Sequence, residues 1–211
     1  MVGRASWPVQ QMVADTGRVM RRVGVLALQG DFAAHGAALA RAGAEPVLVR
    51  EPKQFSEIDG LVIPGGESTT MLKLLRYDQL MEPLAEFGRR KPIFGTCAGA
   101  ILIANEVSNP AQESLCLMDI GVERNAYGRQ VDSRVVEIEP EGEFARRAGP
   151  GRLEAVFIRA PIIRRSGANA KVLAWYDGDP VLVEEGRHLV ATFHPELTAD
   201  ARVHTLFLEK L

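Results

Sequence analysis

The chain has 211 residues, 46% of them hydrophobic and 25% charged, with 25 basic against 27 acidic side chains and a formal net charge of −2. That length suits a single α/β domain with a substantial core, and the near-neutral balance excludes the basic excess of a nucleic-acid or polyanion binder. Two cysteines, Cys97 and Cys116, are too few for a disulfide framework, and no run approaches the ~18 apolar residues of a membrane span, so no membrane contact and a cytoplasmic location are expected.

Residues 1–22, "MVGRASWPVQQMVADTGRVMRR", lack both the apolar core of a cleaved signal and a clean amphipathic face. A disordered N-terminal extension is expected there, with Met12 and Met20 as alternative starts, and one domain over residues 23–211. "VGVLAL" (23–28) reads as a buried strand, followed by a helix capped by Asp31, running to Ala42 and stopped by Gly43. "PVLVRE" and "GLVIPGG" (60–66) are the next strands, the second ending in a glycine turn. Ser68 to Phe87 reads as helical, interrupted near Tyr77-Asp78. "KPIFG" (91–95) is a fourth strand and Ala98 to Asn105 a helix. This β-α-β succession predicts an α/β fold: a three-layer, mostly parallel sheet with helices on both faces. Beyond Asn109, "DSRVVEIEP", "LEAVFIRAP", "AKVLAWYDG", "PVLVEEG" and "HLVATFHPE" read as short strands that extend the same sheet in mixed or antiparallel fashion. A final helix spans Ala199 to Leu211, and the paired basics at Arg21-Arg22, Arg89-Arg90-Lys91, Arg146-Arg147 and Arg164-Arg165 read as solvated faces.

Ligands of open α/β sheets bind beyond the carboxyl ends of the strands. Three stretches fall at predicted strand ends: "PGGES" (64–68), "GTCAG" (95–99) and "HPE" (194–196). Gly95-Thr96-Cys97-Ala98-Gly99 matches a strand-turn-helix nucleophile elbow with cysteine in place of serine. Small neighbours let strand and helix pack closely, and the helix N-terminus stabilises a thiolate. A lone cysteine at a helix start is equally a small buried hydrophobe, and the flanking glycines tilt the reading toward a nucleophile. His194 and Glu196 supply a base and its orienting carboxylate, because residues i and i+2 of an extended segment point the same way; a surface turn is the plain alternative. Gly66 and Ala98 are the candidate N–H donors of an oxyanion hole, while Ser68 reads also as a simple helix cap. His35 and His204 lie in predicted helices, where a partly exposed structural role is expected. No Cys/His spacing suits zinc and no phosphate-binding glycine loop is present, so neither metal nor cofactor is expected.

The blocks "GVLALQGD", "VIPGGESTTM", "IFGTCAGAILIA", "RNAYGRQ", "FIRAP" and "ATFHPEL", in this order, resemble the class I, triad-type glutamine amidotransferases, and among these the glutaminase subunits of pyridoxal 5'-phosphate synthases. The resemblance implies a flavodoxin-like sheet and hydrolysis of L-glutamine to L-glutamate and ammonia for vitamin B6 biosynthesis. It implies a triad of Cys97, His194 and Glu196, a glutamyl thioester, and glutamine binding by Gly66, Glu67, Ser68, Arg124, Ile158 and Arg159. The implied partner is a (β/α)8-barrel synthase subunit in a 12+12 assembly, with the free glutaminase poorly active. In relatives the Gln29-Gly30 turn lies near that interface. This chain departs there, carrying Phe32-Ala33-Ala34 before His35 where the family usually has an acidic residue before the histidine.

Overall fold

The computed structural model describes residues 20–126 and 133–211. Of the expected N-terminal extension, residues 1–19 lie outside the described residues, as does the part of "RNAYGRQ" beyond Ala126. The chain enters the fold through β1 (Arg22–Leu26), α1 (Phe32–Arg41), β2 (Glu45–Val49), a 3-10 turn (Pro52–Glu57) and β3 (Gly60–Ile63). Asp31 caps α1 by accepting the Ala34 N–H at 3.3 Å, and Gly43 terminates it at φ +91, both as predicted. The helical stretch after β3 is interrupted after Tyr77, as predicted: α2 (Ser68–Tyr77) and α3 (Met81–Arg90) part where Gln79 turns to φ 55. Then follow β4 (Ile93–Thr96), α4 (Ala98–Ile103), β5 (Ala104–Ser108), β6 (Met118–Glu123), β7 (Ser133–Ile138), α5 (Gly142–Ala148), β8 (Leu153–Ile158) and β9 (Ile162–Ser166). The chain closes with β10 (Lys171–Tyr176), β11 (Asp179–Glu185), β12 (His188–Ala191), a 3-10 turn (Pro195–Leu197) and α6 (Arg202–Leu208).

Seven strands form the main sheet in the order β10-β11-β12-β4-β3-β1-β2. The five from β12 to β2 are parallel, and β10 and β11 add an antiparallel edge. Alternation along each central strand divides the core into two layers, as pleating requires. Leu26, Leu61, Ile63, Ile93 and Val190 face α2, α3 and α4, while Val23, Val25, Val62, Phe94 and Leu189 face α1 and α6. The later strands do not all extend this sheet. Among the described residues β7 and β8 pair only with each other, and β5, β6 and β9 form a separate three-stranded sheet. The turn of α4 into β5 at Ala104, and the whole of β6 and α5, left no mark on the sequence reading. β5 buries only its first residue and α5 only Phe144, so neither shows an apolar period. Arg164 and Arg165, solvent-exposed as expected, pair with Glu123 of the small sheet and Asp179 of β11, and with Glu106 and Asp119 of the small sheet. Among the described residues no helix is long and apolar enough to cross a membrane.

Two buried histidines, His188 and His204, are expected to make this fold acid-sensitive. The Ile93 N–H donates to His188 Nδ1 at 3.2 Å, and burial, reinforced by Arg187 and Lys210, pushes that ring from its ordinary 6.5 down to about 4. Burial depresses His204 as well. An unfolded chain takes up protons at both positions below pH 6.5 while the folded chain does not, so stability is full above that pH and falls as the pH drops toward 4. We expect denaturant unfolding at pH 4.5 to show a stability lower than at pH 7 by on the order of 2–5 kcal/mol. A flat profile would count against the buried neutral rings, and His188→Gln should remove part of the slope.

Candidate active site

The three adjacent parallel strands β3, β4 and β12 all deliver their carboxyl ends to one edge, and each is followed by one of the suspected stretches. β4 is central. The residue after it, Cys97, sits at φ 47, ψ −103, a conformation that costs a side-chain-bearing residue about 1–3 kcal/mol. Its N–H donates to Ala191 O at 2.9 Å, prolonging the β4–β12 ladder into the elbow. The flanking glycines are dictated by contact distance. A Cβ on Gly95 would come within 2.6 Å of the Gly99 carbonyl, and one on Gly99 within 2.2 Å of Ile63 O. Backbone cannot yield as a side chain tip can, so Gly99→Ala is expected to lower stability by about 1–3 kcal/mol and to displace α4 together with Cys97. Equal unfolding midpoints for this variant and the parent would contradict the close packing.

The histidine arrives by a different route from the one predicted. β12 ends at Ala191, and the His194–Glu196 segment is not extended: Pro195, with its fixed φ, starts the 3-10 turn Pro195–Leu197. That turn folds Glu196 back so that its Oε1 lies 2.8 Å from His194 Nδ1, while the His194 N–H is tied to Val156 O at 2.8 Å. Both side chains are buried, His194 at 8% and Glu196 at 4% exposure. Burial would lower the His194 pKa, but hydrogen bonds and charges from Cys97 and Glu196 outweigh it and raise the ring to about 10. Burial would likewise raise Glu196, yet His35 and His194 hold it well below the ordinary carboxylate range. A protonated imidazole between the Cys97 sulfur and a carboxylate can deliver a proton to a leaving group and then take one from water.

The glycine turn completes the group. A Cβ on Gly65 would lie 2.4 Å from His194 Cε1 and 3.3 Å from Cys97 Cβ, so this turn covers the Cys97–His194 pair. Gly66 follows at φ +142 against the Gln29 amide, and Gly30 seats on Gly65 O. Ala98 opens α4, whose first N–H groups have no partner within the helix. Ser68 is not the cap of α2. Glu67 caps it, accepting from the Thr69 and Thr70 N–H groups at 3.2 and 2.6 Å, whereas Ser68 Oγ donates to Gln112. The longer acidic side chain reaches two amides at once and fits the positive helix end. Arg124 is brought to the same place, 2.8 Å from Thr69 Oγ1 and 3.4 Å from Glu67 Oε1. Ile158 O lies 4.0 Å from Cys97 Sγ, and Arg159 follows it at φ 45.

Sequence reasoning missed what stands behind the site. His35 and His204 are not partly exposed but fully buried, with Thr96 beside them. The available signal was helical spacing: His35 shares a stripe with Ala38 and Leu39, and His204 one with Phe207.

Residues 25–211 match the SNO glutamine amidotransferase family. The chain belongs to that family. This member is 69% identical over 192 residues to the pyridoxal 5'-phosphate synthase subunit PdxT of Solibacter usitatus (strain Ellin6076), covering 91% of this chain and 100% of the relative. It is 55% identical to the subunit of the same name from Koribacter versatilis (strain Ellin345), over 89% of this chain and 94% of the relative. A solved structure described as a glutamine amidotransferase superposes with a TM-score of 0.80 at 45% identity, covering 89% of this chain and 97% of the other. The three-layer flavodoxin-like architecture is thus the amidotransferase one.

Proposed function

We propose that this chain is the cytoplasmic glutaminase subunit of a pyridoxal 5'-phosphate synthase, with residues 23–211 as its glutaminase domain. It hydrolyses L-glutamine to L-glutamate and ammonia and passes the ammonia to the synthase subunit for vitamin B6 biosynthesis. One observation carries this reading: Cys97, the His194–Glu196 pair and the Gly65-Gly66 turn meet at the ends of three adjacent parallel strands, in a chain so close to named synthase subunits.

Cys97 Sγ, as thiolate, attacks the side-chain amide carbon of glutamine. The N–H groups of Gly66 and Ala98 receive the oxyanion, and the protonated His194 gives its proton to the amide nitrogen as the C–N bond breaks and ammonia leaves. A glutamyl thioester remains. His194, now neutral and oriented by Glu196, takes a proton from water, whose oxygen attacks the thioester; collapse releases glutamate and restores the thiolate. Arg124 and Arg159 suit the α-carboxylate and Glu67 the ammonium of the substrate, with Ser68 and the Ile158 carbonyl lining the pocket. The partner is proposed to be a (β/α)8 barrel, in an assembly of twelve of each subunit, with the Gln29-Gly30 turn near the interface. Since that turn seats on Gly65 and Gly66, docking there bears directly on Gly66, one of the two proposed oxyanion donors. The deciding measurement is glutamate release by the purified chain with and without its synthase subunit. Release that depends on the synthase is expected, and none in either mixture would overturn the reading.

A further inference from the structure

Behind Glu196 lies a second polar chain that the triad does not use. Glu196 spends Oε1 on His194, and its other oxygen, Oε2, is buried with no hydrogen bond of good geometry. His35 Nε2 lies 3.3 Å from Oε2 and 3.0 Å from Thr96 Oγ1. On the far side of its ring, His35 Nδ1 lies 3.1 Å from His204 Nε2, and His204 Nδ1 is buried with no hydrogen-bond partner among the described residues. His35 comes from α1, His204 from α6 and Thr96 from the end of β4, and Phe94 presses edge-on against both imidazoles. Two imidazoles in an apolar core, where Val or Leu would pack at no desolvation cost, call for a reason.

The hydrogen-bond count selects one arrangement of protons. A single proton lies between His35 Nδ1 and His204 Nε2. If it sits on His35, then neutral His35 points a bare Nε2 lone pair at the Glu196 carboxylate, and His204 keeps an orphaned N–H in the core. Both are unfavourable, since buried unpaired N–H groups are rarer than under-used acceptors. If it sits on His204, the orphan is a mere acceptor, and His35 carries its proton on Nε2, shared between Glu196 Oε2 and Thr96 Oγ1 as a three-centre bond.

We propose that His35, its tautomer set by His204, donates a second hydrogen bond to Glu196 and acts as a positioning residue for His194. This inference rests on the glutaminase reading above. With both carboxylate oxygens held, Glu196 can neither rotate nor take up a proton easily, and His194 stays aimed at Cys97 through acylation and deacylation alike. The departure of this chain before His35, Ala34 in place of an acidic residue, leaves the histidine itself in place.

Two measurements test it. Long-range 1H–15N spectra of the histidine-labelled chain should show both His35 and His204 protonated on Nε2 and bare on Nδ1; a His35 protonated on Nδ1 alone overturns the proposal. In glutamate release with the synthase subunit present, His35→Phe should lower kcat by about ten- to a hundredfold, the worth of one hydrogen bond to a charged group, with KM within about twofold. His35→Gln, whose amide N–H can reach the same oxygen, should recover most of that loss, and thermal unfolding reports on folding in parallel. Wild-type kcat in His35→Phe, or equal loss in both variants tracking lost stability, overturns a positioning role. Wild-type protein that turns over no glutamine defeats the glutaminase reading instead, while the tautomer spectra still decide the hydrogen bond.

Discussion

Replacing Cys97 by alanine is expected to abolish glutamate release, lowering kcat by about ten-thousandfold or more, while the variant still folds and still joins its synthase subunit. On the proposed thioester route, Sγ forms the covalent bond, and no other thiol is near: Cys116 lies on the exposed surface between Ser114 and the Asn105 carbonyl. Water acting without a nucleophile would keep only what the oxyanion donors and substrate binding provide. The backbone supplies an internal control. At φ 47 any Cβ is strained, so Cys97→Gly should unfold later than Cys97→Ala by about 1 kcal/mol while being equally inactive. Glutamate release by Cys97→Ala near the parent rate would remove Cys97 from the mechanism.

His194→Asn should cost about as much as Cys97→Ala, and the double variant little more than either, because the two groups act in one step. Both proton transfers of the proposed cycle pass through this ring. Its pKa, raised to about 10, also makes a stability prediction with a definite sign. The folded state binds the ring's proton more tightly than the unfolded state does. The stabilisation is therefore complete below the ordinary value of 6.5 and is lost as the pH rises through about 10. Denaturant unfolding between pH 7 and 10 should show this alkaline loss in the parent and not in His194→Asn. The slope is opposite to the acid loss expected from His188 and His204, so the two titrations separate cleanly. Independent, additive kinetic effects of the two single substitutions would argue against a coupled pair.

Much of the site is legible in the sequence itself. Glycines flanking a cysteine between a strand and a helix, a Pro-Gly-Gly turn after another strand, and a histidine two places from a glutamate are short-range patterns, and the β-α-β order places all three on one edge. The arginines proposed to bind glutamine were legible only through resemblance, since an arginine at the end of a strand looks like any surface arginine. The cap of α2 was misassigned within one residue. Serine is a good cap by propensity, but Glu67 reaches both amides and also meets Arg124, a partner 57 residues away.

The sequence alone determined the alternation of elements, the two-faced central strands and the identity of the elbow, because each depends on periodicities and steric demands within a few residues. Only the tertiary structure decided how His194 meets Glu196, through a 3-10 turn and not an extended strand, and which strands leave the main sheet. Only it showed that His35, His204 and Thr96 gather behind the carboxylate. His35 and His204 are 169 residues apart, and their contact is created when α1 and α6 pack on the same face of the sheet. A local pattern can place each histidine on a buried stripe, but it cannot say that the two stripes face each other.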